Sequence, residues 1–418
     1  MRLLVVSQYF WPENFRINDF VAEMVTRGHQ VTVLTGIPNY PEGTVNPDFL
    51  REPEKFREWS GAEIIRVPIF VRGQGPLRLV INYASFLISA SLGGVWKLRG
   101  RSFDVIFVCQ LSPVTSALPA VLLRSIKRTP LVMWVLDLWP DSLSAVGAIR
   151  SKWILSLVGW FVAFIYQHCD LILAQSRSFK SSIQRLAGDE MRVEYFPSWA
   201  ESIFSNGRVE RAEEIPASPK SFNVMFAGNI GDAQDFPSIL RAAEILHDQP
   251  DIRWWIVGDG RAAGWVAAEI ERRHLTGKVI MLGRYPLERM PSFFKHADAL
   301  LVTLRDEPIF SMTIPGKIPV YLATGIPIVA MLNGEGARLI SESSSGLVSS
   351  AGNAQGLAQS ILKLHQMSPD ERKEIGVAAA RTYKRDFDRA VLMGRVESWL
   401  LNLKRQAVTP LPHTENHK

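Results

Sequence analysis

A lysine beside a glycine at the start of a helix is poorly placed unless an anion is near. Lys317 stands so, in the run Thr313-Ile314-Pro315-Gly316-Lys317, ahead of a short helix expected to begin near Gly316 and to end in a tight turn at Gly325. A cation in the first helical turn opposes the helix dipole, and a phosphate there would remove the conflict. The competing reading is a solvated surface lysine. A second phosphate signal is Phe226-Ala227-Gly228-Asn229-Ile230-Gly231, which follows an apolar run and precedes Pro237. Glycines between a strand and a helix let backbone amides approach an oxyanion, although a plain turn needing positive φ reads the same way. Gly258-Asp259-Gly260 and Gly283-Arg284-Tyr285 close two further apolar runs and suit contacts to a base and ribose. Asp137, after the apolar run 131–135, suits a proton acceptor for a hydroxyl or, equally, a turn cap. Asp386-Phe387-Asp388 has the look of a metal-binding pair, but its basic neighbours Lys384, Arg385 and Arg389 make it an ion-paired surface.

These residues need strands to present them. Runs rich in Val, Ile and Leu without polar alternation occupy 3–6, 31–34, 64–67, 105–108, 131–135 and 171–174. That is the pattern of strands buried on both faces of a parallel sheet. Helix-like stretches such as 17–27 and 115–124 alternate with them, so the first part reads as a doubly wound α/β domain. Between 197 and 221, Pro, Ser, Glu and Lys accumulate and the periodicity fades, as in a linker. A second α/β series begins at Phe222, with strands expected at 223–227, 254–257, 279–282, 299–302 and 326–330. The resulting organisation is a first domain over 1–196, a linker over 197–221, a second domain over 222–388, and a last helix and tail over 389–418 that can pack back on the first. Ligands in such sheets bind beyond the carboxyl ends of the strands, and the cleft between the domains is the default place.

With 418 residues, the chain is long enough for two domains with a core each. Cys109 and Cys169 have neither disulfide-framework nor metal-ligand spacing and read as buried thiols in a reducing compartment. The opening run 2–7 is too short for a signal-peptide core, and no stretch reaches about 18 uninterrupted apolar residues, so no membrane span is expected. A net charge of +6 is too modest to suggest nucleic-acid binding.

Taken together, the motifs resemble retaining GT-B glycosyltransferases of family 4, in the bacterial capsule, O-antigen and colanic-acid branch that includes fucosyl- and N-acetylfucosaminyltransferases. The residues that carry the resemblance are Tyr9-Phe10-Trp11-Pro12-Glu13, 28–35, 38–43, Asp137-Leu138-Trp139-Pro140-Asp141, the 228–231 loop, 258–260 and 315–327. The resemblance implies two facing Rossmann-like domains, a UDP- or GDP-linked sugar bound by the second, an acceptor on the first, retention at the anomeric carbon and no required metal or other cofactor. Donor contacts would fall on Gly228, Asn229, Gly231, Gly258, Asp259, Gly283, Arg284, Tyr285, Thr313, Gly316 and Lys317. Acceptor contacts would fall on Trp11, Glu13, Asn14, Asn39 and Tyr40. Where many members carry two glutamates separated by seven residues, this chain has Met312 and Val320, and Glu307 is the nearest upstream carboxylate. Asp137, Glu307 and Lys317 are therefore the catalytic candidates. A sugar-nucleotide epimerase of the same fold and a non-catalytic partner subunit are the alternative readings.

Two segments of the first domain are unusually apolar and aromatic. Residues 77–98 are flanked by Arg72, Arg78, Lys97, Arg99 and Arg101, and residues 153–166 contain Trp153, Trp160, Phe161, Phe164 and Tyr166. Either is a core helix or a surface that docks on anionic lipid. The second reading suits an undecaprenyl-diphosphate-linked acceptor, with the protein peripheral at the cytoplasmic face of the cell membrane.

Overall fold

The computed structural model describes residues 1–408, apart from 74, 146, 148, 205–208 and 217–220. The tail beyond 408 lies outside the described residues. The chain divides into two compact units, Met1–Phe196 with Met393–Lys418, and Pro197–Leu392.

In the first unit, β1 (Arg2–Val6), β2 (Gln30–Gly36), β3 (Glu58–Trp59), β4 (Ala62–Val67), β5 (Val105–Gln110), β6 (Leu131–Val135), β7 (Leu171–Ala174) and β8 (Val193–Tyr195) form one sheet in the order β3-β4-β2-β1-β5-β6-β7-β8. All neighbours are parallel except the short pair β3 and β4. Every residue of β5 and β6 is buried, which is why those runs lack polar alternation. The chain reverses its direction of travel across the sheet between β1 and β5, and the loops leaving these strands diverge there. The final helix Arg389–Val408 contributes its later turns to this unit. Glu397 binds Arg27 and His29, Lys404 binds Asp104, and Trp399 meets Phe196 edge-on.

In the second unit, β9 (Phe222–Ala227), β10 (Ile252–Val257), β11 (Val279–Gly283), β12 (Ala299–Thr303), β13 (Ile328–Met331) and β14 (Gly346–Ser349) form a wholly parallel sheet in the order β11-β10-β9-β12-β13-β14. Here the reversal falls between β9 and β12. The core on one side gathers Phe226, Phe236, Leu240, Trp254, Leu357 and Ile361. The stretch read from sequence as a linker groups with this unit. Ala212 and Ile215 are buried, the Ala212 amide donates to the Ser292 carbonyl, and Arg289 grips Glu214. Its polar composition hid two small apolar anchors.

The apolar segment after Gly75 is helical over Pro76–Ser89, passes through a π-helical turn at Ala90–Gly94 and ends at Val95–Lys97. Over Leu77–Lys97 it is long and apolar enough to cross a membrane by length and composition, against the sequence expectation, because its few polar residues are uncharged or near the ends. Only 22% of it is buried. Asn82, Phe86, Ala90, Gly94 and Leu98, spaced four apart, form the buried stripe, while Leu77, Val80, Ile88, Leu92 and Trp96 are exposed. It is therefore not a core helix. The helix Lys152–Gln167 shows the same division, with Val162 and Ile165 buried and Trp153, Leu157 and Trp160 exposed.

Candidate functional site

The donor-side candidates converge where β9 and β12 part. The loops after β9, β10 and β11 are clasped by backbone bonds: Gly228 N–H to Val257 O, Ile230 N–H to Asp259 O, and Gly258 N–H to Gly283 O. A Cβ at Gly258 would stand 1.9 Å from the Gly228 carbonyl oxygen, so only glycine allows these loops to meet. The next loop joins them through Arg305 N–H to Ala233 O and the Thr303 hydroxyl to Gln234 O.

This clasp corrects one expectation. The amides of Gly228 and Gly231 are not offered to a ligand, because Gly228 donates to Val257 and Gly231 to the Gln234 side chain. The Asn229 amide, exposed at the loop tip, has no acceptor among the described residues. The Asp259 side chain is turned onto the Gly260 amide. Thr313 is likewise committed, its hydroxyl donating to Ile309 O. Tyr285 packs on Phe293, while Arg284 is exposed and has no partner among the described residues.

Lys317 opens the helix Lys317–Thr324 as expected, with Gly316 before it and Gly325 in the left-handed region after it. The rest is not that of a surface lysine. Its ammonium lies 3.3 Å from the centroid of the Phe226 ring and beside Gly228. Burial holds its pKa well below the ordinary value. Among the described residues it has no hydrogen-bond or ion-pair partner. Tyr321, one turn on, fixes the helix to the strand end, its hydroxyl bonding the Ala227 amide at 3.2 Å. An ammonium held over an aromatic face and beside a glycine, with no carboxylate partner among the described residues, has the chemistry to receive an anion. Glu307 starts the short helix Pro308–Met312 without capping it, and its carboxylate has no partner among the described residues.

In the first unit the candidates lie after the ends of β1, β2 and β6. Glu13 is buried, and its carboxylate accepts the amides of Asn39 and Tyr40, both at 2.7 Å, and of Phe10 at 3.2 Å. Burial nevertheless pushes it up to about 7. Glu13 thus ties the loop after β1 to the loop after β2. Beside it opens a cavity of about 360 Å³, walled by Pro12, Glu13, Pro38, Asn39, Tyr40 and Asn46 among others. Its volume is at the small end for ligand pockets. Trp11 does not line it: its ring stacks on Phe56 at 4.9 Å and its carbonyl accepts from Arg66. Asn14 is exposed and also outside the lining.

Asp137 is half-buried, which raises its carboxyl pKa, and it accepts from the Trp139 indole at 3.0 Å. Ser142, Ser112 and the Leu138 amide also bond it. Sequence reasoning missed the groups around it. Tyr83 bonds Ser112 and feels both Asp137 and Arg72; Asn82 receives the Gln8 amide and donates to Phe70 O. Tyr83 and Asn82 were hidden inside a segment noticed only for being apolar. The cue was available: polar residues in such a helix need a reason.

Two parallel-sheet α/β domains with their candidate residues beyond the carboxyl ends of the strands have the GT-B fold, and the family models make the chain a glycosyltransferase. Residues 14–199 match the glycosyl transferase 4-like domain, and residues 221–367 match the glycosyl transferases group 1 domain; the chain carries both. It is 25% identical, over 345 residues covering 78% of this chain and 82% of the other, to WcaI of Escherichia coli (strain K12), named as a colanic acid biosynthesis glycosyl transferase. Among solved structures, sucrose-phosphate synthase from Thermosynechococcus elongatus superposes with a TM-score of 0.73 at 12% identity, over 96% of this chain and 98% of that one. HepE of Anabaena in complex with UDP superposes with a TM-score of 0.68 at 15% identity, over 96% of this chain and 100% of that one. These structural likenesses are likenesses of fold.

Proposed function

We propose that this glycosyltransferase moves a sugar from a nucleotide diphosphate to a lipid-linked saccharide acceptor in the synthesis of a bacterial surface polysaccharide. The observation that carries the donor half is Lys317, an ammonium enclosed beside Gly228 with no counter-charge among the described residues. The C–O bond from the anomeric carbon to the diphosphate breaks, and the charge gathering on the leaving oxygen is met by Lys317 and the Asn229 amide. No metal is needed for that charge. A new C–O bond forms to the acceptor hydroxyl, whose proton passes to Asp137 or to the departing diphosphate. Burial raises Asp137 toward the range where a carboxylate takes a proton more readily. HepE, a structural neighbour, was captured with UDP and with UDP-glucose, which supports a nucleotide-sugar donor; the resemblance of the motifs leaves it UDP- or GDP-linked. The colanic acid relative supports the polysaccharide setting, and the resemblance to retaining enzymes supports retention and a fucose or N-acetylated amino sugar.

The acceptor half rests on the exposed apolar faces of Leu77–Lys97 and Lys152–Gln167. The first helix is held to the protein along its buried stripe, so its free face lies along a bilayer surface rather than through it. Arg78, Arg99, Arg150 and Lys152 are exposed near these faces and complement anionic headgroups. Lys97 and Arg101, expected to do the same, are engaged by the Arg66 carbonyl and by Glu63. We place the enzyme at the cytoplasmic face of the cell membrane. Incubation with UDP- and GDP-sugars, with and without lipid-linked acceptor, tests the reading. Nucleotide release only with acceptor supports it; isomerised sugar without transfer replaces it with an epimerase.

A further inference from the structure

The loop that leads into the apolar helix carries a charged group with no opposite charge paired to it among the described residues. Arg72 donates its backbone amide to the side-chain oxygen of Asn39, a residue that lines the cavity, at 2.9 Å. Its guanidinium carbon lies 5.3 Å from the centroid of the Tyr40 ring. The Tyr9 and Tyr83 phenols are also beside it, and its charge opposes the burial that raises both. Tyr9 and Tyr40 are themselves 5.5 Å apart, ring to ring. Among the described residues no carboxylate pairs with Arg72. The Tyr40 ring by a cation–π contact and the Tyr9 hydroxyl by a hydrogen bond orient the guanidinium without neutralising it, and leave the rest of its planar fork for a ligand.

We propose that Arg72, framed by Tyr9, Tyr40 and Tyr83, grips a phosphate of the acceptor's lipid diphosphate. The assignment rests on the lipid-linked acceptor proposed above and names the group that reads it. Guanidinium suits phosphate because two parallel N–H bonds match two oxygens. The lipid source follows from position: Arg72 stands four residues before Pro76, where the exposed apolar helix begins. A diphosphate held at Arg72 has its hydrocarbon chain starting beside Leu77 and Val80, which are 71% and 61% exposed. Tyr83 feels the charges of both Arg72 and Asp137.

The test uses farnesyl diphosphate, a soluble short-chain polyprenyl diphosphate, with the full chain and calorimetric detection. Wild type should bind it, Arg72→Gln at least about tenfold more weakly, and Arg72→Lys in between, since a point charge replaces part of the fork. UDP and GDP affinities should be the same in all three, and thermal melts matching wild type show that the variants fold. Lys317→Ala should keep farnesyl diphosphate binding, placing the probe away from the donor cation. Inorganic diphosphate should bind at least about tenfold more weakly than farnesyl diphosphate; equal binding overturns the lipid assignment. Equal farnesyl diphosphate affinity in wild type and Arg72→Gln, or no binding by wild type, overturns the site. If Arg72-dependent binding is present but no lipid-linked acceptor is ever glycosylated, the proposed function fails and the anion site stands.

Discussion

The ammonium of Lys317 occupies the space that a side chain at Gly228 would need. A Cβ at Gly228 would stand 2.7 Å from Lys317 Cε and 3.2 Å from Nζ, on a backbone with φ of 132°. A glycine on the loop after β9 and a lysine at the start of the helix Lys317–Thr324 therefore form one feature, a cation over the Phe226 ring facing bare backbone. Its electrostatics have a measurable consequence.

Because burial depresses the Lys317 pKa below 10.5, its contribution to stability is complete above that pH and is lost as pH falls through the depressed value. At neutral pH the ligand-free protein thus carries an unfavourable group. Lys317→Met should raise the melting temperature of the ligand-free protein by about 2 °C or more. The same change should weaken nucleotide binding by about 10- to 100-fold, as for a lost charge-assisted contact. Thermal melts with and without UDP and GDP check both parts. A variant that is less stable and still stabilised by nucleotide would remove Lys317 from the donor site.

The sequence shows Lys317, its helix and the loop glycines, because helix starts and strand-ending glycines are local signals. It also shows eleven of the strands, since continuous Val-Ile-Leu runs announce themselves. It does not show β3, β8 or β14: two to four residues, with Glu, Tyr or Ser among them, carry too little periodicity. The larger loss is in hydrogen bonding. Whether the Gly228 amide faces a ligand or Val257 depends on a neighbouring strand 29 residues away in sequence, which no local pattern encodes. Arg72 and Tyr83 were missed as a pair for the same reason, since the loop after β4 and the following helix meet only in the fold.

For Asp137 two roles meet in one carboxylate. It caps Trp139 and Leu138, and it is the raised carboxyl at the end of β6. With its folded pKa raised, its contribution to stability is complete below the unfolded value and lost as pH rises through the folded one. Asp137→Asn keeps an oxygen for the indole and removes the buried charge. The variant should therefore melt no lower than wild type at pH 8, bind donor nucleotide unchanged, and transfer sugar about 10²-fold more slowly. Full activity in this variant would leave the departing diphosphate as the proton acceptor.

Glu13 serves as an anchor, and its substitutions should separate anchoring from charge. Glu13→Ala leaves three amides without an acceptor, each costing on the order of 1–3 kcal/mol, so the first unit should be strongly destabilised. Glu13→Gln keeps one oxygen for Asn39 and Tyr40 and should fall between. Since burial raises Glu13 to about 7, its contribution is complete below about pH 4.5 and declines as pH rises through 7. The stability gap between wild type and Glu13→Gln should therefore narrow from pH 5 to pH 8 in urea titrations. A gap that widens instead would show that the three amides outweigh burial.

The membrane contact makes the last prediction. Trp96, Trp153 and Trp160 are 61%, 75% and 70% exposed, more than a soluble surface has reason to show of its largest apolar side chain. Exposed aromatics beside Arg78, Arg99, Arg150 and Lys152 bind a bilayer through two separable parts. The basic residues contribute about 1 kcal/mol each near an anionic surface and are screened by salt, whereas the aromatics are not. Purified protein should sediment with vesicles of anionic lipid and less with neutral ones, and salt should weaken but not abolish the binding. Replacing the four basic residues with Gln should remove the preference for anionic lipid. Replacing the three tryptophans with Ser should remove the salt-resistant remainder. Neither set should alter donor binding, which belongs to the other unit. Wild-type protein that stays wholly in the supernatant at low salt would leave these faces for another partner and take away the main support for a lipid-linked acceptor.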